Sequence, residues 1–165
     1  YRLIWGGGLP SWFALTDFNY FNSKGAVFPV ETTYRMVEAV YNFDIDLSKI
    51  TDPLEHIAWR WLKFWTYWHD RARKRPGSHP VVERLIKYIE DYKIDGIVMH
   101  EAFSCRSWHV GLIWQLNLLK KVYREIPSLI LESDIVDISS YSEADTRARI
   151  DAFIDTLEAV KGRGR

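Results

Sequence analysis

Two hydrophobic patterns alternate along the chain: short continuous apolar runs, and longer stretches with apolar positions three or four apart. Arg2-Leu3-Ile4-Trp5 followed by Gly6-Gly7-Gly8 reads as a short buried strand ending in a glycine loop. Ser11 to Phe21 predicts a helix carrying Phe13, Leu15, Phe18 and Phe21, with Lys24-Gly25 as its stop. Ala26 to Val30 predicts a second strand, which Pro29 places at an edge or near its end. Thr51-Asp52-Pro53 is a helix start, with Asp52 as N-cap and Pro53 in the first turn. From there Leu54, Ile57, Ala58, Trp61, Leu62, Trp65 and Trp68 share one stripe. Trp59, Phe64 and Tyr67 lie off it, so the middle turns are apolar nearly all round. The expectation is that Leu54, Ile57, Trp61 and Trp65 pack on the rest of the chain, while part of Trp59, Phe64, Tyr67 and Trp68 stays exposed. The basic run from Arg71 to Arg75, before Pro76-Gly77, ends this helix.

The second half repeats the alternation. Val82, Leu85, Ile86 and Ile89 form a helical stripe, and Asp95-Gly96 turns into the strand Ile97-Val98-Met99. A loop with Cys105 follows, then the stripe Leu112, Leu116, Leu119 and Tyr123. Pro127 introduces the strand Leu129-Ile130-Leu131, and Ile150, Phe153, Ile154 and Leu157 define a last helix. Strands at 2–5, 26–30, 97–100 and 128–132 alternating with helices predict an α/β fold of flavodoxin or Rossmann type, with an open, mainly parallel four-stranded sheet. The doubly wound order 2-1-3-4 sets strands one and three side by side. Residues 1–160 read as a single domain, 31–78 as a helical, Trp-rich insertion within it, and 161–165 as a disordered basic tail.

Composition narrows the function. With 22 lysines plus arginines against 22 aspartates plus glutamates, the chain lacks the positive excess of a nucleic-acid binder. No apolar run reaches the roughly 20 residues of a membrane span. A single cysteine excludes an internal disulfide and a self-contained cysteine cage. Aromatics reach 15%, including eight tryptophans. That is more than a domain of this size needs for its core, so the tryptophan helix reads as core, as an interface with an absent domain or second subunit, or as a pocket for a flat acyl group. The chain opens at Tyr1 directly into a strand, with no initiator methionine and no signal peptide, which is expected of a piece cut from a longer protein.

The predicted strand order brings Gly6-Gly7-Gly8 and the loop Phe103-Ser104-Cys105-Arg106-Ser107 into one crevice at the carboxyl ends of the strands. The glycines match neither a dinucleotide fingerprint nor a P-loop. They are either a flexible turn or backbone amides facing a ligand. Cys105 is either a small buried hydrophobe or a thiolate, favoured by Arg106 and a helix start near Ser107, that acts as nucleophile or metal ligand. The phosphatase pattern fails, since Gly111 stands where it needs arginine. His100 and His109 flank the loop without zinc-site spacing and read as polar loop residues. Glu132, Asp134 and Asp137 either hold a hard cation or pair with Arg147 and Arg149, and the plain reading is solvated loop charge.

Two blocks carry a family resemblance. One is Asp95-Gly96-Ile97-Val98-Met99-His100-Glu101 with Ser104-Cys105-Arg106-Ser107-Trp108. The other is Ile126-Pro127-Ser128-Leu129-Ile130-Leu131-Glu132-Ser133-Asp134 with Asp137, Tyr141, Thr146-Arg147 and Ile150-Asp151-Ala152-Phe153. Over residues 80–160 the sequence resembles the carboxyl-terminal domain of the 2-hydroxyacyl-CoA dehydratase and benzoyl-CoA reductase family, and before that more loosely. The resemblance implies a [4Fe-4S] cluster held through three cysteines. Cys105 matches the last of them, and the other two are absent from this sequence. It implies Gly6, Gly7, Gly8, Ser104 and Arg106 as surroundings of cluster or substrate. It further implies an anaerobic cytoplasmic enzyme with an acyl-CoA substrate, a related second subunit and an ATP-dependent iron–sulfur activator protein that delivers one low-potential electron. In the dehydratases that electron enters the thioester, and the ketyl radical anion expels hydroxide; in the reductases related chemistry dearomatises benzoyl-CoA. The motif around Cys105 leans toward the dehydratases. A cluster-free α/β interaction module that binds through the tryptophan helix is the alternative from another class.

Overall fold

All four predicted strands form, and all are parallel, in the order β2-β1-β3-β4. They are β1 (Arg2–Gly7), β2 (Val27–Glu31), β3 (Gly96–Ala102) and β4 (Ser128–Ser133). The computed structural model describes residues 1–8, 10–11, 15–32, 46–73, 78–106 and 110–163. The helices among them are α1 (Leu15–Ser23), α2 (Pro53–Arg73), α3 (Pro80–Tyr92), α4 (Leu112–Leu119) and α5 (Glu143–Arg163), with single 3-10 turns at Leu47–Lys49 and Ile138–Ser140. No helix among the described residues is long and apolar enough to cross a membrane.

Strand alternation sends side chains to two separate cores. Ile4, Ile97 and Met99 pack with Leu85, Ile86 and Ile89 of α3 and with Leu112, Leu116 and Leu119 of α4. Leu3, Trp5, Val98 and Leu131 pack on the other face with Phe21 of α1 and with Ile150, Phe153, Ile154 and Leu157 of α5. Crossovers of one hand must leave on opposite faces when the chain first steps from β1 to β2 and then returns past β1 to β3. The result is a three-layer α/β/α domain whose central strands, β1 and β3, are sealed on both faces.

Local chemistry explains the helix ends. The Asp52 carboxylate caps α2, accepting from the amides of Leu54 at 2.8 Å and Glu55 at 3.4 Å. His79 caps α3, its Nδ1 accepting from the Val81 amide at 3.4 Å, and Pro80 opens that helix. Lys93 ends it in the left-handed conformation.

Two expectations need correction. The stripe on α2 does not pack inward: Leu54 is 77% exposed, Ile57 62% and Trp61 65%. The chief partner of α2 is α3, which itself covers the sheet. The helix therefore stands one layer further out, and its last turn reaches the interior at Ala72. The side chains of Phe64, Trp65, Tyr67 and Trp68 lie outside the described residues, as do insertion segments 33–45 and 74–77. The second correction concerns the tail: α5 runs to Arg163 rather than ending before Lys161. Lys161 is held there by Asp95, 3.4 Å away, and lies over the Tyr1 ring. Residues 164–165 lie outside the described residues.

Candidate functional site

β1 and β3 are neighbours, and the chain leaves them toward opposite faces, so the glycine loop and the Cys105 turn emerge at the same end of the sheet. The register pairs Gly6 with Met99 and Gly7 with His100. This pairing gives two of the glycines a packing reason. A Cβ on Gly6 would stand 2.5 Å from the Met99 sulfur. At Gly7 the backbone has φ +77°, and a Cβ would stand 2.3 Å from the His100 carbonyl oxygen. The Gly8 amide donates to that same carbonyl at 2.9 Å, and the Gly8 carbonyl accepts from the Trp5 indole at 3.2 Å. The loop is thus fixed to β3 rather than being a flexible turn.

His100 is not a loop residue: it lies in β3 and is 2% exposed. Its ring stacks on Trp5 at 5.8 Å, and its Nε2 meets the Ser133 hydroxyl at 2.8 Å. Ser133 in turn lies 2.7 Å from the Ser11 hydroxyl, which also donates to the Asp134 carbonyl. A carbonyl only accepts, so the Ser11 proton is committed to Asp134. The Ser133 proton then bridges to Ser11, and Ser133 accepts from His100. The chain of bonds therefore assigns the proton to His100 Nε2. All four residues are buried, and together they join the segment after β1, strand β3 and the end of β4.

Asp134 completes the junction. Its carboxylate accepts from the amides of Val136 at 2.8 Å and Asp137 at 2.9 Å, and the Ser104 hydroxyl lies near it. The amide of Asp137 first, then Ser104 and the amide of Val136, hold its pKa down to about 2. Asp137 serves its own turn by capping the Ser139 amide at 2.8 Å. Glu132 faces Arg149 at 3.9 Å, and Arg149 also donates to the Ile130 carbonyl at 2.6 Å. Arg147 pairs with Glu143 instead. The three carboxylates thus serve separate partners, and no group of three or more metal-ligating side chains gathers among the described residues. Nearby, the Tyr141 hydroxyl donates to the buried Asp17 at 2.6 Å. Burial raises the Asp17 carboxyl above its usual range, although that bond opposes it.

Cys105 sits in a tight turn, its amide donating to the Ala102 carbonyl at 2.9 Å. It is partly exposed, and Ser104 and Arg106 are exposed beside it. Ser107 and His109 lie outside the described residues. One thiol at this end of the sheet fits one corner of an iron–sulfur cluster and no more, since a cluster takes several thiolates and the chain has one. Sequence reasoning missed the buried chain through His100, Ser133 and Ser11. The available signal was the parity of His100 with Val98, which places both on the same face of one strand.

The family model described as 2-hydroxyglutaryl-CoA dehydratase, D-component, matches residues 1–157. The match extends well before residue 80, further than the sequence blocks alone suggest. The chain is also similar to a subunit of the benzoyl-CoA reductase of Thauera aromatica, with 28% identity over 163 residues. That alignment covers 96% of this chain and 34% of the relative, so the chain spans about a third of the relative's length.

Proposed function

Since the chain belongs to the 2-hydroxyglutaryl-CoA dehydratase D-component family, we propose that it is the part of an iron–sulfur acyl-CoA enzyme subunit that presents one cluster thiolate, Cys105. The observation that carries this reading is the position of Cys105, partly exposed on the turn leaving β3, beside the glycine loop of β1. That is where open parallel sheets bind their ligands. The remaining thiolates of a [4Fe-4S] cluster would come from outside these residues. When bound, the cluster supplies one-electron transfer to the acyl thioester. The chain's own contribution is positional. The buried junction of Ser11, His100, Ser133 and Asp134 ties together the ends of β1, β3 and β4, where Gly6 to Gly8 and, beside the thiol in sequence, Ser104 and Arg106 would form the surroundings of the cluster, with the Arg106 guanidinium offsetting its charge. The partners are a related subunit and an ATP-dependent iron–sulfur activator.

The substrate is an acyl-CoA. The residues around Cys105 favour a 2-hydroxyacyl thioester and hence dehydration, whereas similarity to a subunit of a benzoyl-CoA reductase favours an aromatic acyl group. A cluster-free interaction module is the competing reading, supported by the exposed apolar stripe of α2. Iron and sulfide per subunit decide between them. In the full-length protein purified without oxygen, Cys105→Ser should lower cluster content and abolish turnover while the far-UV circular dichroism is unchanged. Wild-type iron and turnover in that variant would remove Cys105 from the site.

A further inference from the structure

We propose that Asp134 and Ser11 are positioning residues for Cys105, clamping the loops that follow β1, β3 and β4 so that the thiol is held in one place. The inference rests on the reading of Cys105 as a ligand, but its geometry is independent of that reading. The register pairs Ala102 with Ser133, so the chain leaves β3 and β4 at the same level, into Phe103-Ser104 and Asp134 respectively. Asp134 is 8% exposed and Ser11 is 1% exposed. The backbone of Asp134 accepts from Ser11, which arrives from the β1 loop. Its carboxylate faces Ser104, one residue before Cys105, and accepts from two amides of its own turn. One residue therefore bears on all three loops. Ser11 adds the bond to Ser133, through which the clamp extends to His100. Strand β3 ends at Ala102, and beyond it the turn keeps the Cys105-to-Ala102 backbone bond but no ladder bonds, so contacts such as these tie it to the neighbouring strands.

Cys105 is the sole cysteine of these 165 residues, so in the full-length protein the labelled peptide that contains it, resolved by mass spectrometry, reads this position apart from any other thiol. The experiment measures the rate at which iodoacetamide alkylates Cys105 at one pH, under native conditions, in the full-length protein stripped of iron, for the wild type, Ser11→Ala and Asp134→Asn. Loosening the clamp should change the rate by about fivefold or more in both variants. Tyr20→Phe is the control. It removes the bonds from Tyr20 to Asp151, both 2.9 Å, on the α1/α5 surface, so it costs stability away from the turn and should leave the rate unchanged. Wild-type rates in folded Ser11→Ala and Asp134→Asn would overturn the proposal, as would an equal change in Tyr20→Phe. If either clamp variant fails to fold, Ser104→Ala, which removes only an exposed hydroxyl, reads the same carboxylate contact, and an unchanged rate there overturns the proposal as well. Thiol kinetics test the clamp and iron content of Cys105→Ser tests ligation, so the two can fail separately.

Discussion

Gly7 lies so close to His100 that a side-chain carbon on it would stand 2.3 Å from the His100 carbonyl oxygen. The obstacle is backbone of a central strand, which cannot swing aside, and φ is +77° as well. Gly7→Ala should therefore cost about 3 kcal/mol, combining left-handed strain with a displaced strand contact. Gly25 has a similar φ of +75° but open space around it, so Gly25→Ala should cost about 1 kcal/mol. Urea unfolding of the two variants measures the difference, and equal losses would refute the packing account of Gly7.

The buried hydroxyl chain makes a second prediction. Ser133→Ala leaves the His100 Nε2 proton and the Ser11 hydroxyl short of a partner, at a cost of about 1–3 kcal/mol. Nitrogen NMR of labelled histidine should show the wild-type His100 ring protonated at Nε2. A neutral ring protonated only at Nδ1 would reverse the assigned direction of the His100–Ser133 bond.

Asp134 predicts a pH dependence. Its folded pKa, about 2, lies below the unfolded carboxylate value of roughly 3.9. The ionised group therefore contributes stability that is present in full above pH ~4 and is lost as pH falls through the folded value. The stability difference between wild type and Asp134→Asn, followed by urea midpoints, should shrink on acidification over that window and stay constant above it. Asp17 has the opposite sign. Burial raises its pKa, so the wild type should lose stability relative to Asp17→Asn as pH rises through and just above the ordinary carboxylate range.

The outward stripe of α2 predicts indifference. Leu54→Ser and Ile57→Ser, at positions 77% and 62% exposed, should change the stability of this chain by no more than about 0.5 kcal/mol. A loss of about 2 kcal/mol or more at either position would mean that the stripe is core after all.

The fold was legible because its signals are local and repeated. Apolar runs such as Leu3-Ile4-Trp5 and Ile97-Val98-Met99 admit few structures other than buried parallel strands, and Asp52-Pro53 is sufficient to start α2. Strand order followed from one rule of connection, and it placed Gly6 to Gly8 beside the Cys105 turn. Depth was not legible. The spacing of Leu54, Ile57 and Trp61 defines a stripe, but spacing does not say whether the covering surface belongs to the same chain. His100 and Ser133 escaped notice for a related reason. Each stands next to a glutamate near the end of its strand, His100 before Glu101 and Ser133 after Glu132, and their pairing depends on the register of β3 against β4, which no local pattern states. Glu132, Asp134 and Asp137 look equivalent in sequence and differ because backbone amides converge on Asp134.

The central place of β1 has a consequence for how the protein is made. β1 begins at Arg2, yet the strand on its inner side starts past Asp95, whose carboxylate meets the Arg2 amide across 93 positions of chain. On the ribosome, β1, α1 and β2 can assemble early as a parallel pair, but the open edge of β1 must wait until β3 has cleared the exit tunnel. During that interval a strand apolar on both faces has one side unpaired, which is the kind of surface that chaperones shield. Closure of the seam between β1 and β3 fills the centre of the sheet and, in the same step, brings the glycine loop to the Cys105 turn. The candidate site is therefore assembled by the pairing that has waited longest during synthesis, and slowing translation just before β3 should prolong the dependence on chaperones more than a pause after β4.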